Sequence, residues 1–269
     1  MAHAFTHTRY CDELARQAGL FREVLATAGT AGLTARVPTC PDWTLRQLTL
    51  HLGGAYRWFG EIVRSRATEM VPDENVPGFH GPGDEAPMEA LDAWFAESAQ
   101  LAVEELRAAG PHVRVWSWST EQNPAFWARR AVHETVIHRA DASFAAGTPF
   151  SVTPEVAADC LEEWLEILAC PAVQEHQEEL RGLREHAGKS LHLHATATAP
   201  ELRAEWLIEL GPEGFTWRRE HGRATVAVRA LLTDVLLTLY RRLPATDPRV
   251  EVLGDAPLLD EWLSRTSFG

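Results

Sequence analysis

No apolar run in the 269 residues approaches the length of a membrane span, so no membrane-crossing helix is expected. The opening stretch Met1-Ala-His-Ala-Phe-Thr-His7 lacks a basic region followed by an apolar core, which makes the cytoplasm the default location. Cysteine is scarce: Cys11, Cys40, Cys160 and Cys170 are widely spaced, with no CxxC, and neither a disulfide framework nor a thiolate zinc site is suggested. The four are expected to be reduced and mostly structural. Positive charge is short as well, 25 Lys and Arg against 38 Asp and Glu, a formal net charge of −13 that argues against nucleic acid or an anionic membrane as the main partner. There is no sequence repeat, no P-loop and no GxGxxG, and the tandem Arg241-Arg242 reads as helix surface rather than a phosphate site.

What is present is an ordinary globular composition, 45% apolar, long enough for two domains. Leu14, Ala18, Phe21 and Leu25 recur at helical spacing in a first helix over about 5–27. Val37-Pro-Thr-Cys-Pro-Asp-Trp-Thr44 is a rigid lead-in to a second, where Thr44 and Gln47 form a capping box and Trp43 faces Leu48 in the staple position. Leu48, Leu52, Phe59 and Ile62 mark the inward side of that helix, and His51 falls among them, so it should point into the bundle and need a partner. The Pro-, Gly- and acid-rich stretch 73–85 reads as an exposed loop; Met88, Leu91, Phe95 and Leu106 pattern a third helix, and one beginning near Pro154 closes a helical bundle ending near Ala169.

The most informative stretch is Phe126-Trp-Ala-Arg-Arg-Ala-Val-His-Glu-Thr-Val-Ile-His-Arg-Ala-Asp141, a helix that Asn123 caps, Pro124 opens and Gly147-Thr-Pro149 ends. Glu134 and His138, four residues apart, share one face and can converge on a single ion. His133 is rotated roughly 140° from His138 and is left out, so this is not the HExxH signature. By itself a Glu and a His at this spacing is more often a surface hydrogen-bonded pair; a third ligand is required to make a metal site.

Beyond an acidic connector the period changes from helical to alternating. Leu191-His-Leu-His-Ala-Thr-Ala-Thr198, Glu205–Leu210, Phe215–Arg218 and Ala224–Arg229 read as strands of an antiparallel sheet, with 211–214 as a hairpin turn, a helix over 231–242, a strand over 250–253 and a last helix over 257–264. The domains are therefore drawn at 1–170, a connector 171–186, and 187–269 of α+β class. His192 and His194 alternate onto one face, which would permit a metal pair, but the pattern is not a known ligand set and reads in the first place as a solvated sheet face. Arg218, Arg219 and Arg223 are candidates to bind an anionic substrate, and Arg139 is expected to be exposed.

The motifs Val37–Thr44, His51-Leu-Gly-Gly54, Trp116-Ser-Trp118, Phe126–Asp141 and Pro154–Asp159, continued by Leu191–Thr196, Glu205-Trp206, Gly254-Asp255 and Trp262–Arg265, resemble the mycothiol-dependent maleylpyruvate isomerase family of DinB-like metalloenzymes over nearly the whole chain. The resemblance implies a DinB-like four-helix bundle followed by a small sterol-carrier-like α+β domain. It also implies a divalent metal, usually zinc, held by His51, Glu134 and His138, and mycothiol, the low-molecular-weight thiol of actinobacteria, as cosubstrate. Two imidazoles and a carboxylate suit zinc with a coordination position open, where a thiol's pKa would be lowered; nickel, cobalt or iron is also accommodated. Arg130 and Asp141 can orient a ligand, contact the thiol's carboxylate or sugar, or form a helix-surface salt bridge. The segment 223–232 departs from the family's usual features.

The function implied is activation of mycothiol for attack on an electrophilic small molecule, as an S-transferase or a maleylpyruvate-type cis–trans isomerase. A hydrolase using the same ion to activate water, and a non-enzymatic binder of apolar ligands, are the alternatives.

Overall fold

The computed structural model describes residues 4–266; the first three residues of the Met1–His7 stretch lie outside the described residues. The chain divides into two compact units, Met1–Phe150 and Ser151–Gly269. Among the described residues no helix is long and apolar enough to cross a membrane.

The first unit is a four-helix bundle of α1 (His7–Gly32), α2 (Leu45–Arg64), α3 (Met88–Ala109) and α4 (Pro124–Ala146). Helix α1 lies against α3 and α4, and α2 against the same two helices. The apolar stripes read from the sequence meet in the middle: Leu14, Phe21 and Leu25 from α1, Leu48, Leu52 and Phe59 from α2, and Leu91, Phe95 and Leu106 from α3 are all buried. Full burial of such side chains stabilises by about 1.5–3 kcal/mol each before chain entropy is charged against it. Phe21 stacks on Phe95 at 4.9 Å. The capping box forms as expected, the Gln47 backbone N–H donating to Thr44 Oγ1 at 3.3 Å and the Thr44 N–H to Gln47 Oε1 at 2.9 Å. Asn123 Oδ1 caps α4 through the Phe126 N–H at 3.1 Å, and Gly147, at φ 65°, ends it. The lead-in to α2 is a short antiparallel ribbon, β1 (Arg36–Val37) and β2 (Cys40–Thr44).

Helix α4 is surrounded. Residues on every side of it are buried, polar ones included. This corrects the expectation for Arg139, which is 4% exposed and donates from Nε to Gln17 Oε1 at 2.8 Å while lying 4.5 Å above the Phe150 ring. Burial pushes its guanidinium down to about 10. A helix at the centre of a bundle carries no polar stripe, so its sequence does not announce which charged residue is inside.

The small residues after His51 let neighbours approach α2. A Cβ on Gly53 would come within 2.3 Å of the Trp94 ring, whose indole N–H donates to Gly78 O at 3.0 Å. Gly53→Ala is expected to displace Trp94, break that bond and cost about 1–3 kcal/mol, read as a lower denaturant midpoint with unchanged slope.

The second unit contains α5 (Pro154–Ala169), the short α6 (Pro171–His176) and α7 (Glu178–Arg181), and then β3 (Ser190–Thr196), β4 (Glu205–Gly211), β5 (Gly214–Arg218), β6 (Val226–Leu231), α8 (Leu232–Leu239), β7 (Glu251–Gly254) and α9 (Ala256–Arg265). Helix α5, read from the sequence as the last of the bundle, lies in this unit instead: it packs on α8, with the Trp164 and Tyr240 rings 4.4 Å apart and Tyr240 Oη donating to Cys160 O at 3.4 Å. Helix α8 stops at Leu239, short of Arg242, because Arg241 takes a left-handed φ of 60°. The sheet has the order β5-β4-β3-β6-β7, antiparallel except at its centre, where β3 and β6 run parallel.

Strand periodicity sorts this sheet into two faces. Leu191, Leu193, Trp206, Ile208, Leu210, Phe215, Val226 and Val228 form the buried one. The register puts His192, His194, Glu205, Leu207, Arg218, Arg229 and Glu251 together on the other.

Candidate metal centre

Glu134 on α4 sits between two imidazoles. Its Oε1 lies 3.1 Å from His138 Nε2, one turn along the same helix, and 3.5 Å from His51 Nε2 on α2. The three donor atoms fall within 4.8 Å of one another, and the two rings meet edge to face at 5.0 Å. Helix spacing brings Glu134 and His138 together; the packing of α2 against α4, pinned by a buried Tyr56–Thr135 hydroxyl hydrogen bond of 2.7 Å, adds His51.

His51 is not the buried histidine its helical pattern suggests. Its side chain is 40% exposed, with the Trp43 ring 4.7 Å away on one side and His138 on the other. His133, left out on angular grounds, is fully buried with its ring edge-on to Tyr10 at 6.4 Å.

Asp141, fully buried, decides which nitrogen of His138 faces the cluster. Its Oδ2 lies 3.0 Å from His138 Nδ1, while its Oδ1 accepts a 2.5 Å hydrogen bond from Thr39 Oγ1 of the β1–β2 ribbon. With Nδ1 held there, Nε2 is the nitrogen turned toward Glu134. Arg130 Nη2 donates to Glu134 Oε2 at 3.1 Å, one turn back on the helix.

Burial opposes charge on both members of the pair, but their mutual contact prevails. Hydrogen bonds to Asp141 and Glu134 hold His138 up at about 9, and those from His138 and His51, with the Arg130 charge nearby, hold the Glu134 carboxyl well below the usual carboxylate range. The donor set fits a divalent ion: two imidazole nitrogens and a carboxylate oxygen already converge, one imidazole is oriented by a carboxylate, and a site with three protein ligands leaves a position for another.

Two family models match the chain in sequence, that of the mycothiol maleylpyruvate isomerase N-terminal domain over residues 14–143 and that of the corresponding C-terminal domain over residues 155–261. The chain belongs to the mycothiol-dependent maleylpyruvate isomerase family. In fold it is similar to the crystal structure of a mutant of the mycothiol-dependent maleylpyruvate isomerase, with a TM-score of 0.61 and 14% identity over 94% of this chain and 95% of that one. A second solved structure, a UbiJ-SCP2 ubiquinone synthesis protein, aligns with 42% of this chain and 94% of its own at 17% identity, and its TM-score of 0.27 is too low to bear on the fold. No curated relative matches.

For a member of this family, the arginines proposed as anion contacts are unevenly available. Arg218 is paired with Glu209 and, at 2.6 Å, with Glu220; Arg219 is paired with Glu162 and the Leu202 carbonyl. Arg223 is exposed, in the loop between β5 and β6. Asp141→Asn, which exchanges an acceptor for a donor facing the His138 ring, is expected to weaken zinc binding at this centre about 10–100-fold, as read by competition with a chromophoric chelator.

Proposed function

We propose that the chain activates a thiol, mycothiol, for attack on an electrophilic small molecule, through a divalent ion held by His51, Glu134 and His138. The observation that carries this reading is the convergence of the three donors with Asp141 fixing the His138 tautomer, in a chain of this family. When bound, the ion supplies a Lewis acid that lowers the thiol pKa toward neutrality.

The protein's own residues do the rest. Glu134 brings the negative charge that balances the cation, Arg130 tethers its other oxygen, and Asp141 keeps the proton on Nδ1 so that His138 stays turned toward the cluster. The half-exposed His51 leaves the centre accessible from solvent, as a diffusing thiol requires.

In the isomerase reaction the thiolate forms a C–S bond to an alkene carbon conjugated to a carbonyl, and the π electrons move to the carbonyl oxygen as an enolate. Rotation about the resulting single bond is followed by collapse of the enolate, which re-forms the alkene and expels the thiolate, so no net redox change occurs. In a transferase the C–S bond persists and a leaving group departs with its electron pair. The centre serves both; the electrophile decides.

The test is turnover of conjugated cis-enoyl diacids and alkylating electrophiles by the zinc-loaded protein, with and without mycothiol. Strict dependence on the thiol is expected, and turnover undiminished without it would reject thiol activation in favour of activated water.

A further inference from the structure

We infer that the second unit contains a zinc site of its own, built from His192 and His194 on β3, Glu205 on β4 and His221 in the loop between β5 and β6. Nothing in the thiol chemistry above requires it, and it shares no residue with the first centre.

The four donor atoms lie within 4.8 Å of one another. They are gathered on one carboxylate oxygen: Glu205 Oε2 is 3.0 Å from His192 Nε2, 3.0 Å from His194 Nδ1 and 2.6 Å from His221 Nδ1. The three imidazoles face one another nearly perpendicular, with centroids 5.3–6.0 Å apart. A tetrahedral zinc ion with bonds of about 2.0–2.1 Å places its donors about 3.3 Å apart, so an ion at the centre of this group needs only small outward shifts of the side chains.

Hydrogen bonding alone does not account for the arrangement. His194 and His221 each make a hydrogen bond to Glu205 Oε2, whereas His192 Nε2, 3.0 Å from the same oxygen, has no hydrogen-bond partner among the described residues. His192 is only 5% exposed. A buried ring nitrogen held beside a carboxylate and two further imidazoles, with no hydrogen bond of its own, is a group a metal ion would satisfy.

The backbone supports the same reading. His194 stands directly opposite Glu205 in the β3–β4 register and His192 two residues along, so both rings rise from the polar face beside that carboxylate. That face is expected to be solvated, yet the segment after β5 folds back over it. Gly222 approaches so near that a Cβ there would lie 3.2 Å from the Leu207 side chain, and His221 reaches Glu205 from above. Sequence periodicity alone supplied two of these ligands; the β3–β4 register adds Glu205 and the returning loop adds His221. Four protein donors of this type make a closed site with structural character, which would fasten the loop to the sheet.

The experiment uses the full chain, stripped with chelator, reloaded with Zn2+ and dialysed into metal-free buffer before elemental analysis. The parent is expected to retain about two ions per chain, His138→Ala about one, and His138→Ala with His221→Ala none. His221 is 76% exposed on a loop, so its replacement leaves the core untouched. In the His138→Ala background, Co2+ should give the absorption of a tetrahedral nitrogen–oxygen site, abolished by His221→Ala, and added Zn2+ should raise the melting temperature only while His221 is present. The inference is overturned if His138→Ala keeps no ion through dialysis, or if its ion and cobalt spectrum survive the loss of His221. Either result leaves the first centre's metal, read from His221→Ala alone, as a separate question.

Discussion

Glu134→Gln should empty the first centre and lower thiol-dependent turnover by about three orders of magnitude, because a metal ion's several kcal/mol of charge stabilisation is lost at about 1.4 kcal/mol per tenfold in rate. The substitution keeps the shape of the side chain but removes the charge that balances the cation, and it offers an amide where both imidazoles and Arg130 now meet a carboxylate. His138→Ala should match it, since Nε2 is lost together with the Asp141-oriented tautomer. Elemental analysis in a His221→Ala background, in which the second cluster is disabled, should fall from about one ion per chain to none in both variants. Loss of the ion with turnover intact would remove the metal from the mechanism; retention of the ion in both would remove these residues from the site. The fold should survive, because the side chains of Glu134 and His138 sit at the margin of the core, 26% and 12% exposed.

The parts of this site that were legible in the sequence are those that one helix encodes. Glu134 and His138 are placed by the rise and turn of α4, and Asp141 falls three residues on, but its role depended on Thr39, a residue 102 positions away that only the β1–β2 ribbon brings to it. His51 needed a helix–helix contact, and its place came from the family pattern rather than from its own spacing. The prediction that it would be buried failed because His51 sits at the edge of the Leu48 and Leu52 stripe rather than on it: both leucines are fully buried, while its ring is half-exposed beside Trp43.

The same distinction explains the second unit. Alternation in 191–196 located β3 and the side on which His192 and His194 stand, since period-2 patterns report a strand's faces. They do not report its neighbours, so the parallel pairing of β3 with β6, and the return of His221 across the polar face, had no local signal. Arg139 is the converse case: a charged residue beside a proposed metal ligand on a helix without a polar stripe looks exposed from its chemistry, and only the position of α4 within the bundle buries it.

Zinc affinity at the first centre should rise about tenfold per pH unit between pH 6.5 and 8, with about one proton released per ion bound, because the metal-free chain keeps His138 protonated between Glu134 and Asp141. The sign follows from the direction of the shift. A histidine whose folded-state pKa is raised from 6.5 to about 9 contributes stability that is fully present below pH 6.5 and is lost as pH rises through about 9. An ion needs the neutral ring, so raising the pH removes the competing proton and strengthens binding while it weakens the metal-free fold. The zinc-loaded and zinc-free proteins should therefore diverge in melting temperature as pH increases across this range, the loaded form gaining and the stripped form losing. Titration calorimetry of the His221→Ala variant in two buffers of different ionisation enthalpy reads the proton directly. An observed enthalpy independent of buffer at pH 7 would mean that His138 is already neutral before the ion arrives, and that Asp141 orients the ring without holding an extra charge on it.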